Sequence, residues 1–254
     1  MKEKWRLLET GLNNAYRNMA IDRAILVENS KGNIPPTVRF YRWGPPAISI
    51  GYFQSLNEEV DLLKCKEFKV DYVRRITGGG SVFHENELTY SIVIPESHPL
   101  ISKKIIESYK KICGALVKGF SYLNIESEFK PINDIISNGK KISGNAQTRK
   151  FKTVLQHGTI LIDVDVEKMF SLLRVPNEKI KDKLISDVKE RVTSINILSD
   201  KKVTYFEVFK AMKKGFEDEF KVELDNSDLT DREIFLADKF EKEIFRSNDW
   251  NNKR

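Results

Sequence analysis

The chain has 254 residues, with 43 Lys and Arg against 37 Asp and Glu, a net charge of +6. Hydrophobic residues at 40% and aromatics at 10% supply a sizeable core, which excludes global disorder and suits one large domain, taken as residues 1–254. Charged residues of both signs make up 31%, so the positive excess is modest: it accommodates an anionic ligand or an acidic partner without pointing to nucleic acid. Cys65 and Cys113 form no CxxC, which argues against a zinc site or a disulfide framework. No apolar run approaches the roughly 18 residues of a membrane helix, and the start MKEKWRLLET lacks a signal-peptide core. A soluble, cytoplasmic protein with neither membrane nor nucleic-acid partner is expected.

In chain order, WRLLE (5–9) reads as a short strand, and the 3–4 spacing of Tyr16, Met19, Ala20, Ala24 and Val27 predicts a helix from about Asn14. Strands are predicted at 37–43 and, after Gly44-Pro45-Pro46, at 47–53. A short helix around 58–67 leads to an alternating strand at 69–76. Residues 77–84 read as loop and 88–94 as strand. The clearest helix is 102–123, with Ile105, Tyr109, Ile112, Cys113, Leu116, Val117 and Phe120 on one stripe and Ser102 as its cap. Asn138-Gly139 between branched residues predicts a type I′ hairpin over 135–142. A strand at 154–164 and helices at 166–173 and 177–186 follow. Two capping boxes, Thr204/Glu207 and Thr230/Glu233, open helices over 204–220 and 230–246, and 247–254 reads as a frayed end. The mixture predicts an α+β fold of mixed β-sheets with flanking helices rather than a regular βαβ array.

Three blocks carry chemistry. In Arg74-Arg75-Ile76-Thr77-Gly78-Gly79-Gly80-Ser81-Val82-Phe83-His84, three successive glycines let backbone amides approach an anion, and at least one guanidinium is placed to grip it. It is neither a P-loop, having no Gly-Lys-Ser/Thr, nor a dinucleotide fingerprint, because Phe83 stands at the third glycine's place. In Asn133 to Gln147, Lys140 and Lys141 face opposite ways along a strand, so one points at whatever the sheet covers and requires an anion there. Gly144 and Ala146 leave room for a ligand, and Asp134 is placed for a magnesium ion or a ribose hydroxyl. In Leu155-Gln156-His157-Gly158-Thr159, the glycine marks a close backbone approach beside a histidine. His98, before a proline, reads as surface.

RRITGGGSVFH, NDIISNGKKISGNAQ and HGTIL, in this order, closely resemble the lipoate–protein ligase A and octanoyltransferase superfamily, over most of the chain through 175–195. The resemblance implies a fold related to the catalytic domain of biotin–protein ligases, although the GRGR-type loop of biotin enzymes is missing. It also implies Lys141 as the catalytic residue, bridging acyl carbonyl and phosphate oxygens. Arg75, Thr77 and Gly78, Gly79 and Gly80 would bind the carboxylate and phosphate end. His84, Asn133, Asp134, Gly144, Ala146, His157, Gly158 and Thr159 would line the substrate and nucleotide site, with Asp134 as the metal contact.

Members divide by chemistry. A ligase uses ATP and Mg2+ to make lipoyl-AMP from lipoate; a transferase takes octanoyl already held as a thioester on acyl carrier protein. His84-Glu85-Asn86-Glu87-Leu88-Thr89 and Ala146-Gln147-Thr148-Arg149 resemble transferases that use an acyl-cysteine. The segment before Lys141, IESEFKPIND (125–134), contains no cysteine, however; Glu126 stands near where the nucleophile would be, and Asn133-Asp134 is similar to the ligases. The expectation is therefore an ATP-dependent lipoate–protein ligase, with an octanoyltransferase or lipoyl amidotransferase as the alternative. The chain leaves little room for the C-terminal accessory domain of longer ligases, so it is expected to be the large subunit of a split archaeal-type enzyme with a small accessory protein. Its acceptors would be the lipoyl domains of 2-oxoacid dehydrogenase complexes and the glycine cleavage H protein.

Overall fold

In the computed structural model, which describes residues 2–174 and 178–254, strand β1 (Lys4–Asn13) runs into Asn14, whose side chain caps helix α1 (Ala15–Ser30) by accepting from Arg17 N–H. Then come β2 (Thr37–Trp43), β3 (Ala47–Ile50), α2 (Leu56–Glu59), α3 (Leu62–Glu67), β4 (Asp71–Arg74), β5 (Val82–His84) and β6 (Glu87–Pro95). The middle of the chain holds α4 (Ile105–Ser121), β7 (Glu128–Lys130), β8 (Asp134–Ser137), β9 (Lys140–Lys150) and β10 (Thr153–Leu161). The remainder is α5 (Val166–Leu172), α6 (Glu178–Arg191), α7 (Ile195–Leu198), α8 (Tyr205–Phe220), β11 (Glu223–Asn226), α9 (Asp231–Phe240), a π-helical turn (Glu241–Phe245) and α10 (Asn248–Asn251).

Among the described residues, eight strands form one mixed sheet in the order β11-β1-β2-β6-β10-β9-β8-β7, and β4-β3-β5 form a small second sheet. Alternation along β2 sends Phe40 to one face and Tyr41 to the other. Phe40 joins a core with Tyr90, Ile112, Leu116, Met212 and Phe216, covered by α4 and α8. Tyr41 joins a second with Met19, Ile25, Trp43, Leu155 and Leu236, covered by α1 and α9. The structure is thus an α+β fold with helices on both faces of a mixed sheet, as expected.

Local signals form the structures their sequences predict. Both capping boxes close, Thr204 with Glu207 and Thr230 with Glu233, and Asn138 and Gly139 take φ of 49° and 76° in the turn joining β8 and β9. Several expectations need correction. The helix at 58–67 is two helices, divided where Val60 leaves to bridge Leu173. The loop at 77–84 ends in β5, drawn into a strand by antiparallel pairing with β3. Helix α4 starts at Ile105, not 102; no side chain caps it, and Ile105 is 57% exposed rather than part of the apolar stripe. Strands β7 and β11 were not foreseen. His98 is not a free surface group: its ring lies edge-on to Trp5 and it pairs with Glu3. The end is not frayed, because α10 packs Trp250 and Asn251 against Arg74. Helix α6 begins at Glu178; Asn177 and the first residues of the 175–195 segment lie outside the described residues.

Candidate active site

A cavity of about 170 Å³ opens between the small sheet and strands β9 and β10 of the large one. Its wall includes Arg75, Gly79, Gly80, His84, Asn133, Lys141, Gly144, Ala146, His157, Gly158 and Thr159. Three blocks far apart in sequence therefore meet around one space. Thr77, Gly78 and Asp134 stand just behind that wall, bonded to residues that line it.

The glycine loop is held from within. Arg75, expected to grip an anion, spends its donors on the protein: Nε on Thr77 Oγ1 (3.1 Å), Nη1 on Ser49 O (2.9 Å), and Nη2 on the carbonyls of Gly78 (2.8 Å) and Gly80 (2.7 Å). Burial lowers its pKa to about 10. Gly79 has φ of +97°, and its carbonyl sits where a Cβ on Gly51 would have to be. Arg74 is also committed, to the carbonyls of Gly51, Tyr52, Gln54, Trp250 and Asn251. Both arginines fix the loop's shape, because buried guanidinium groups must satisfy their donors wherever carbonyls converge.

Lys140 is exposed, and Lys141 leans toward the cavity with its side chain 40% exposed. Its Nζ lies 2.7 Å from Asp134 Oδ1, across the β8–β9 pair. A Cβ on Gly144 would come within 2.7 Å of Lys141 Cε, so the glycine makes the room in which the ammonium lies. Asp134, expected as a metal contact, has its carboxylate turned to Lys141. No group of three or more His, Cys, Asp or Glu able to hold a metal occurs among the described residues. Asn133 Nδ2 donates to Asn145 O, tying β9 to the preceding turn.

The two histidines are each braced by a carboxylate. His157 Nδ1 is 3.1 Å from Asp22 and its Nε2 is 2.7 Å from Thr77 Oγ1. Burial lowers the His157 pKa against the pull of Asp22, which favours the neutral ring. His84 Nδ1 is 2.7 Å from Glu87 Oε1, its Nε2 is 2.7 Å from Ser49 Oγ, and its ring stacks on Trp43. Ser49, Trp43 and Met19, which also line the cavity, and Glu87, Asp22 and Asn145 were not singled out from sequence. A serine inside the apolar strand AISI and the His84-x-x-Glu87 spacing were the available signals. Neither cysteine lines the cavity; both are buried, and burial raises Cys65 to about 11 and Cys113 to about 12. Glu126 is exposed, in the segment just before β7, and does not line the cavity.

Residues 14–217 match the lipoyl protein ligase A/B catalytic domain. The chain belongs to that family. It is 37% identical over 276 aligned residues to octanoyltransferase LipM of Anoxybacillus flavithermus, and 39% identical to that of Geobacillus kaustophilus. Each match covers 100% of this chain and 99% of the relative. Among solved structures, it superposes with a TM-score of 0.90 on a chain from the bi-partite lipoate protein ligase system of Thermoplasma acidophilum, at 29% identity, covering 98% and 96%. Lipoate-protein ligase A bound with ATP gives 0.83 at 28%, covering 99% and 98%. The family and fold expected from the three blocks are thus correct.

Within this lipoyl ligase and octanoyltransferase family, the expectation of an ATP-dependent ligase is not upheld, because the full-length curated relatives are octanoyltransferases. That expectation rested on the lack of a cysteine in residues 125–134, before Lys141, and on the likeness of Asn133-Asp134 to the ligases. Such a gap speaks against one covalent route, not against acyl transfer itself, since a thioester is already activated. The large-subunit assignment rested on the little room left for an accessory domain, within the ligase reading, and the octanoyltransferase relatives lend it no support. No helix among the described residues is long and apolar enough to cross a membrane.

Proposed function

We propose that this chain moves an octanoyl group from acyl carrier protein to a lysine of lipoyl domains, such as those of 2-oxoacid dehydrogenase complexes and the glycine cleavage H protein. The observation that carries this reading is end-to-end similarity to octanoyltransferases at 37–39% identity. The site chemistry agrees with it. A thioester carbonyl needs no adenylation, so ATP and Mg2+, expected with the ligase reading, have no task in this reaction, and neither does a small accessory subunit. What the reaction needs is a positive charge where the carbonyl oxygen becomes an oxyanion, a wall that orients the acyl chain, and a group that relays protons. Lys141 supplies the first, Met19, Trp43 and Val82 contribute to the second, and His84 or His157 serves the third.

Incubating the chain with octanoyl–acyl carrier protein and an apo lipoyl domain, without ATP, tests the proposal by mass spectrometry. Octanoylation of the acceptor lysine is expected. An acceptor modified only when free acid and ATP are supplied would overturn it.

A further inference from the structure

The cavity holds a hydroxyl, an imidazole and a carboxylate in line. Ser49 Oγ is 2.7 Å from His84 Nε2, and His84 Nδ1 is 2.7 Å from Glu87 Oε1. Glu87 also accepts from Thr89 Oγ1 at 2.6 Å, and Thr89 Oγ1 in turn accepts from Trp43 Nε1 at 2.7 Å, which leaves the carboxylate little freedom to turn. With Nδ1 donating to the carboxylate, Nε2 carries the lone pair that accepts the serine proton. Stacking on Trp43, with ring centroids 4.0 Å apart, holds the imidazole plane. Arg75 Nη1 lies 3.2 Å from Ser49 Oγ, a fixed positive charge beside a developing alkoxide. A second relay, Thr77–His157–Asp22, has similar distances. Both hydroxyl residues are buried, Ser49 at 1% and Thr77 at 0% exposure, but Ser49 lines the cavity and Thr77 does not.

Resting on the octanoyl-transfer reading, we infer that Ser49 is the acyl-accepting nucleophile, with His84 as its proton acceptor and donor and Glu87 as the positioning residue. This is the arrangement by which a weak hydroxyl nucleophile is activated. Ser49 Oγ attacks the thioester carbonyl carbon as its proton passes to His84 Nε2. The C–S bond breaks, the thiolate takes that proton and leaves as the carrier's thiol, and an octanoyl ester remains on Ser49. The acceptor's lysine amine then attacks the ester carbonyl and gives a proton to His84. The C–Oγ bond breaks, and Oγ recovers the proton as the amide departs. Lys141, on the same cavity wall, faces the oxyanion in both halves. The route needs no cysteine, in keeping with two thiols that are buried and whose pKa values burial raises.

The test omits the acceptor. The chain is incubated with octanoyl–acyl carrier protein alone, and its intact mass and peptides are measured. One octanoyl group on Ser49 is expected, stable to neutral hydroxylamine as an oxygen ester and discharged when an apo lipoyl domain is added. Ser49→Ala should lose both adduct and transfer. Ser49→Cys, which keeps a nucleophile in place, should restore an adduct now labile to neutral hydroxylamine, and it serves should the alanine variant fail to fold. The double variant Cys65→Ala/Cys113→Ala should keep the Ser49 adduct. Transfer that persists in Ser49→Ala, or an adduct mapping to another residue, overturns the nucleophile while leaving octanoyl transfer intact. No transfer by the unaltered chain overturns the transferase reading and this inference together.

Discussion

Asp22 Oδ1 accepts from Arg39 Nη1 at 2.7 Å, with both side chains almost wholly buried between α1 and the sheet. The same carboxylate accepts from Ser91 Oγ (2.8 Å) and Tyr41 OH (3.1 Å) and braces His157 (3.1 Å), so one acidic group on α1 organises β2, β6 and β10 beneath the cavity. Arg39, although its remaining donors reach Thr10 and Asn18, has no second carboxylate within ion-pair distance among the described residues. Asp22→Ala should therefore destabilise the fold by about 3–5 kcal/mol, the usual cost of leaving a buried charge uncompensated. Urea denaturation followed by tryptophan fluorescence measures it. A loss below 1 kcal/mol would mean that water reaches Arg39.

His157 makes stability depend on pH in a defined direction. Burial holds its folded pKa below the ordinary 6.5. The unfolded chain therefore binds the proton first as pH falls, and the folded state loses stability from about pH 6.5 downward toward the folded pKa; above that window the residue contributes no slope. Asp22, also lowered in the fold by Arg39 and its hydrogen-bond donors, acts with the same sign but only near and below 3.8. The midpoint of thermal unfolding should drop between pH 7 and 5, and His157→Gln should flatten that drop. An equal slope in the variant would assign the effect elsewhere.

At the far end of the chain, Asn251 Oδ1 accepts from the buried Arg74 N–H at 2.8 Å, and Asn251 O and Trp250 O take two of the Arg74 guanidinium donors. Asn251→Ala orphans the Arg74 amide and should cost about 1–3 kcal/mol. Because Arg74 also holds Gly51, Tyr52 and Gln54 beside the glycine loop, the variant should raise KM more than its stability loss alone explains. Steady-state transfer well below the unfolding temperature separates the two effects.

What could be read from sequence follows the range of the interactions. The Asn138-Gly139 turn and the two capping boxes are written within four residues, and each formed as expected. The lining of the cavity was legible because three motif blocks carry it. The use of Arg74 and Arg75 was not: a sequence shows that two guanidinium groups stand beside three glycines, but the carbonyls that occupy Arg74 come partly from residues 176 and 177 positions away. Ser49 escaped notice for the same reason. Only the antiparallel register of β3 on β5, Ala47 opposite His84, brings its hydroxyl to the imidazole. The division between ligase and transferase has another origin: the cysteine-free segment 125–134 and the Asn133-Asp134 pair are local features, whereas likeness to the octanoyltransferases runs the length of the chain.

A basic, aromatic rim lies beside the glycine loop. The Nζ atoms of Lys150 and Lys253 sit 5.1 and 4.6 Å from the centre of the Tyr52 ring, next to Phe53, which is 67% exposed. Lysines clustered there would steer an acidic lipoyl domain toward the cavity mouth, affecting association more than chemistry. Lys150→Glu/Lys253→Glu should raise KM for the acceptor and weaken the dependence of kcat/KM on salt while leaving kcat nearly unchanged. An unaltered salt profile would place acceptor docking on another face.

Lys141 offers the sharpest test of the site. Its side chain is 40% exposed and pairs with a carboxylate that is itself 34% exposed, so its removal should leave the fold intact. A preorganised donor facing a developing oxyanion commonly accounts for about 10²–10³ in kcat. Lys141→Ala should lose about that factor with KM for the acyl donor little changed, because the charge is needed chiefly when the carbonyl oxygen becomes negative. Lys141→Arg keeps the charge but enlarges the head in the space that Gly144 leaves open, and should recover only part of the rate. Transfer assays at saturating octanoyl–acyl carrier protein give kcat directly. A Lys141→Ala variant that retained full kcat would show that the oxyanion forms against other donors, such as the amides of the glycine loop.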